Sequence, residues 1–111
     1  MFPSQRFTPA TDRLVSVYLT VAQYPILGSK IRSLMRKRLY TSGYMTKERF
    51  DDEVRKQAIQ SQVREGLNDP FNEEIPETWE KRINVVRDQL TDYYFSIYFP
   101  FQELESVVAD I

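Results

Sequence analysis

The chain has 111 residues, which suits one domain and leaves too little material for two independent cores. Apolar residues make up 41% and charged residues 28%, with seven Tyr, seven Phe and one Trp, so the composition is that of a packed domain rather than a disordered chain. There is no Cys and no His, which excludes disulfides, thiolate and imidazole metal ligands, cysteine nucleophiles and Ser-His-Asp arrangements within this chain.

The first residues, Met1-Phe2-Pro3-Ser4-Gln5-Arg6-Phe7, lack the apolar run of a signal peptide. Pro3 and Pro9 mark residues 1–10 as a loose N-terminal arm. A first helix is expected over 12–23, with Thr11 as its N-cap and Asp12 complementing the positive end of the dipole. Leu14, Val15, Val17, Tyr18, Leu19, Val21 and Ala22 cover more than half of its circumference, which predicts a helix in the middle of the fold. This stretch is the most apolar of the chain. Ser16 and Thr20 interrupt it, and it falls far short of the roughly 20 residues that span a bilayer. A soluble, cytoplasmic protein is the expectation.

A second helix is expected over 26–41, with Pro25 in its first turn and Leu27, Ile31, Leu34 and Met35 as its apolar stripe. Gly28 marks either a later start or close packing. Gly43 is the terminator. A third helix is expected over 46–65, capped by Thr46 with Glu48 in the first turn. Its apolar residues split into Phe50, Val54 and Ala58 on one face and Ile59 and Val63 on the other, as in a bent helix or one contacted on two sides. Residues 66–76 read as a loop, longer than the ~2–8 residues usual between helices. A fourth helix is expected over 77–97, with Trp79, Ile83, Val86, Leu90, Tyr93 or Tyr94, and Ile97 recurring at steps of four and three. Pro100 separates it from a short fifth helix over 101–110. The expected fold is all-α: one compact bundle, residues 1–111, of four main helices and a short C-terminal helix.

Three constellations are candidates for function. The first is basic: Lys30, Arg32, Arg36 and Lys37 with Arg38, and no acid among them. Residues 1–44 hold seven basic and one acidic residue, a net of +6, and residues 45–111 hold eight basic and fifteen acidic, a net of −7. Lys30, Arg32, Arg36 and Lys37 are therefore the candidate anion-binding set, for the phosphates of a nucleic acid in particular. The plainer reading is a basic helix packed beside acidic helices of the same fold. The second and third helices outline a helix–turn–helix, but the helix that would enter the groove carries Asp51, Asp52 and Glu53, which phosphates repel. Arg38 lies within the apolar stripe of its helix, where it snorkels, pairs with a carboxylate or meets a partner.

The second constellation is aromatic, with six aromatic residues within 93–101. Tyr93, Tyr94, Tyr98, Phe99 and Phe101 form the candidate partner surface, since one helix face cannot bury them all. The alternative is a core lined with Tyr whose hydroxyls reach solvent. The third is acidic: Asp51-Asp52-Glu53, Asp69 with Glu73-Glu74, and Asp88 with Asp92. All three read as solvated charge, and none has the spacing of a calcium loop. Three scattered glycines cannot form a phosphate-binding loop. The sequence thus predicts a non-catalytic helical interaction or regulatory module that binds a protein partner or itself, with anion or nucleic-acid binding as the alternative and no metal, cofactor or membrane span.

Overall fold

The computed structural model describes residues 9–64 and 76–111. Among them are five helices and no strand: α1 (Pro9–Ala22), α2 (Gly28–Thr41), α3 (Lys47–Arg64), α4 (Pro76–Tyr98) and α5 (Phe101–Ala109). The all-α class, with four longer helices and a short C-terminal one, is as the periodicity predicts. The chain divides into two compact units, Met1–Tyr44 with Thr91–Ile111, and Met45–Leu90. The expected N-terminal arm lies outside the described residues up to position 8, and the loop up to position 75.

In the first unit α1, α2 and α5 pack pairwise against one another. Val17 and Val21 from α1, Ile31 and Met35 from α2, Phe95 from α4, and Leu104 and Val107 from α5 form the buried core. Each such side chain contributes about 1.5–3 kcal/mol by leaving water.

α1 starts at Pro9 rather than Asp12, because proline needs no N–H partner in a first turn. Thr11 therefore lies inside the helix and is not its N-cap. The expectation that α1 sits in the middle of the fold is wrong. Val17 and Val21 are fully buried, but Val15 is 51% exposed, Tyr18 56% and Leu19 55%. A helix with neighbours on one side buries one stripe, however many apolar residues it carries.

α2 starts at Gly28 rather than Ile26. Pro25, Ile26 and Leu27 form the turn before it, and Ile26 is 92% exposed. Gly28 is buried where α1 and α2 meet; a Cβ there would lie 3.7 Å from Val21 Cγ1, an ordinary contact. Past the end of α2, Gly43 adopts φ +82°, the left-handed conformation that glycine accepts without penalty. The Ser42 hydroxyl donates to the Arg38 carbonyl at 2.7 Å and so satisfies a backbone acceptor of the last turn.

In the second unit, Thr46 caps α3 as its sequence predicts: the Arg49 N–H donates to Thr46 Oγ1 at 3.1 Å. Phe50, Val54, Ala58 and Gln62 form the buried face of α3, and Val86 is buried on α4. The other line of α3 is not buried: Ile59 is half-buried and Val63 exposed. The Arg82 guanidinium donates to Ser61 Oγ at 2.6 Å and ties α4 to α3. Trp79 is half-buried near the start of α4.

The seam expected along α4 shifts near its C-terminal end. Thr91, Asp92, Phe95 and Ser96 are buried there, while Leu90 and Ile97 are half-buried. Three of those four side chains are polar, so apolar periodicity misplaces the face. Pro100, at φ −69° and ψ 159°, gives the extended link into α5.

Candidate functional site

The polar centre of the first unit is an ion pair. Arg32 Nε donates to Asp92 Oδ1 at 3.0 Å and Nη2 to Oδ2 at 2.8 Å, a two-point fork joining α2 to α4. The Asp92 side chain is only 3% exposed. This corrects the reading of Asp92 as solvated charge: a neighbouring guanidinium supplies what water would have given. One turn further along α2, Arg36 Nη1 donates to Thr91 Oγ1 at 3.0 Å. Two of the four anion-binding candidates thus reach α4, whereas Lys30 and Lys37 are exposed. With Ser29, Ser33 and Thr41 these lysines form the outer face of α2, which contains no acid.

Arg38 pairs with carboxylates, one of the three roles its position allowed. Its guanidinium donates to Glu103 and to Asp110, and more weakly to Ser106 Oγ at 3.3 Å, all on or just past α5. Beside it runs a shallow groove of about 450 Å³, lined by Leu34, Lys37, Arg38, Phe99, Glu103 and Asp110 among others. A second shallow groove of about 370 Å³ lies in the other unit, where Lys81, Arg82 and Ser61 face Val85 and Gln89.

The aromatic candidates do gather. Tyr98 stacks on Tyr44 with centroids 5.0 Å apart and planes 6° from parallel, and Tyr94 lies 6.4 Å from Tyr98. Phe99 meets Tyr44 edge-on at 5.3 Å and Phe95 at 4.7 Å, and Tyr93 meets Tyr94 at 5.3 Å. Tyr94, Tyr98, Phe99 and Phe101 are half-buried, while Tyr93 and Tyr44 are exposed. Most of the surplus rings therefore cover one another and the core. Tyr44 is the member that sequence reasoning missed, because it stands apart from the 93–101 run and only the fold brings it alongside.

Of the acidic candidates, Asp51 and Asp52 are exposed and pair along their own helix, with Lys47 at 2.7 Å and Lys56 at 3.2 Å. Asp69, Glu73 and Glu74 lie outside the described residues. No group of three or more acidic side chains suited to a metal ion occurs among the described residues, and no helix among them is long and apolar enough to cross a membrane.

One exposed apolar stripe of α1 was not among the candidates. Val15, Tyr18, Leu19 and Ala22 recur at steps of three, one and three along α1 and lie opposite the buried Val17 and Val21. Ile26 and Leu27, in the turn before α2, are exposed as well. The signal was present, since the apolar residues of α1 exceed what one stripe can bury. No protein-family model matches the chain, and comparison with curated proteins and with solved structures finds no match.

Proposed function

We propose that the chain is a non-catalytic helical module that works by binding protein, within a reducing, cytoplasmic setting that suits a chain without cysteine. The observation carrying this reading is the outer face of α1, where Val15, Tyr18 and Leu19 are each more than half exposed. Contiguous apolar surface of this kind marks sites where another surface docks. The exposed Tyr93 and Tyr44 continue the same theme with rings suited to interfaces. A photo-crosslinking residue placed at Leu19 and expressed in the native cell should capture protein, and the same residue at Ser16 on the polar flank should not. Absence of any adduct specific to position 19 overturns the reading.

A second reading rests on the outer face of α2. Lys30 and Lys37, seven residues apart with Ser33 between them, present cations and hydroxyls with no acid on the helix. In this reading they neutralise phosphates of a nucleic acid. Two such contacts predict that affinity falls about 12-fold between about 50 and 200 mM salt. Lys30→Glu with Lys37→Glu should abolish binding; a flat salt response removes this reading.

A further inference from the structure

We propose that the groove between α3 and α4, within the unit Met45–Leu90, binds a small oxyanion, a carboxylate or a phosphate monoester, carried on a short apolar body. This goes beyond the protein-binding reading and does not rest on it. Thr78, Lys81, Arg82, Val85 and Gln89 recur at steps of three, one, three and four, so they share one face of α4. Ser61 meets them from α3, and Arg82 donates to its hydroxyl at 2.6 Å. That bond uses one of the five N–H donors of a guanidinium and holds its plane at the groove wall. Lys81 stands one residue earlier, exposed and with no ion-pair partner among the described residues. No carboxylate among the described residues lines the groove; Glu80 and Asp88, acids of α4 near it in sequence, are not in its walls. Residues 45–111 hold fifteen acidic residues against eight basic, so two cations without an acid are a local arrangement and not a reflection of composition. Thr78 stands in the first turn of α4, where the helix dipole adds further positive potential. The groove beside Arg38 is the contrast, because there Glu103 and Asp110 neutralise the guanidinium from within.

The order of side chains along α4 sets the shape of the ligand. Thr78, Lys81 and Arg82 offer hydroxyl, ammonium and guanidinium donors at one end, which suits an anion of two or three oxygens. Val85 and Val86 follow one turn on, about 6 Å along the axis, and give an apolar wall to a short alkyl or aryl group. Gln89 closes the far end, about 16 Å from Thr78. The volume of about 370 Å³ falls within the ~300–1,000 Å³ of small-molecule sites. The groove is shallow, so a ligand of this size should bind in the millimolar range.

Amide chemical shifts of the full chain, followed by nuclear magnetic resonance at low ionic strength, test this with four probes: hexanoate, hexyl phosphate, inorganic phosphate and hexanol. Hexanoate or hexyl phosphate should give saturable shifts confined to Ser61 and residues 78–89, and the tighter of the two identifies the anion as carboxylate or phosphate. Inorganic phosphate and hexanol should bind more weakly, because each lacks half of the ligand. Lys81→Gln should weaken binding about tenfold or more, as loss of a charged hydrogen bond does. Val85→Ser should weaken the two hexyl probes and leave inorganic phosphate unchanged. Lys37→Gln, in the other groove, should change nothing. Lys81 and Val85 are exposed, so their variants should keep the wild-type helical circular dichroism. The proposal is overturned if no saturable shift appears up to about 50 mM of either hexyl anion. It is equally overturned if hexanol binds as tightly as they do, or if Lys81→Gln binds them at full strength.

Discussion

Asp92 is buried, so its fate depends on Arg32. A carboxylate in that position without its guanidinium would be a buried, uncompensated charge, and breaking one side of such a pair costs about 3–5 kcal/mol. Asp92→Ala should therefore lower the urea midpoint sharply, and so should Arg32→Ala. Replacing both with apolar residues of similar size, Arg32→Met with Asp92→Leu, should recover most of the loss, because the desolvation cost disappears with the charges. A double variant as unstable as the singles would show that Arg32 and Asp92 matter through other contacts. Gly43 makes a second test at this scale. Nothing lies within 4 Å of a Cβ placed there, so only the φ of +82° opposes a side chain. Gly43→Ala should cost about 1 kcal/mol in chemical denaturation, and Gly43→Asn less.

Among the elements, α5 is held by two kinds of contact. Leu104 and Val107 anchor it in the core, and Arg38 grips it at Glu103 and Asp110. Those ion pairs are partly exposed, the Asp110 side chain at 61%, so their energetic share is small, about 1 kcal/mol or less. Arg38→Met should thus leave global stability nearly unchanged while amide exchange in α5 quickens several-fold, and added salt should reproduce part of that effect in the wild type. α5 and α3 were also the most legible elements. Pro100, the amphipathic spacing of Leu104 and Val107, and Thr46 act within a few residues of where they are read. α1 was legible as a helix and misread in its burial. Periodicity counts apolar residues, but only neighbouring helices decide which of them meet water. α4 was misread where its buried face turns polar, because Thr91 and Asp92 become core-compatible only through Arg36 and Arg32, some sixty residues away in the chain.

For the whole molecule, the division of charge between residues 1–44 and 45–111 was fully readable from the sequence, and its use was not. Part of the basic excess of the first 44 residues is taken up inside the first unit by Asp92, Glu103 and Asp110. Among the described residues of that segment, the exposed cations are Lys30 and Lys37 on α2, a smaller cationic surface than the sequence count suggests. The aromatic surplus has a similar outcome: half-buried rings lie against Tyr44 and one another, and Tyr44 and Tyr93 stay exposed. The candidate site was therefore legible as a set of residue types and illegible as a surface. The α1 face, which the count of apolar residues announced only as excess, became apparent once its neighbours were placed.

The two units also differ in how they handle light. All seven tyrosines, at positions 18, 24, 40, 44, 93, 94 and 98, belong to the first unit, and the single tryptophan, Trp79, belongs to the second. The wild-type chain is thus labelled in two colours without any added dye. Excitation at the red edge, where only indole absorbs, follows unit Met45–Leu90 alone. Tyrosine ring resonances in nuclear magnetic resonance, Tyr44 stacked on Tyr98 foremost, follow the other. Coincident melting curves would mark a single cooperative transition, and separated curves would give each unit its own stability from one unmodified sample.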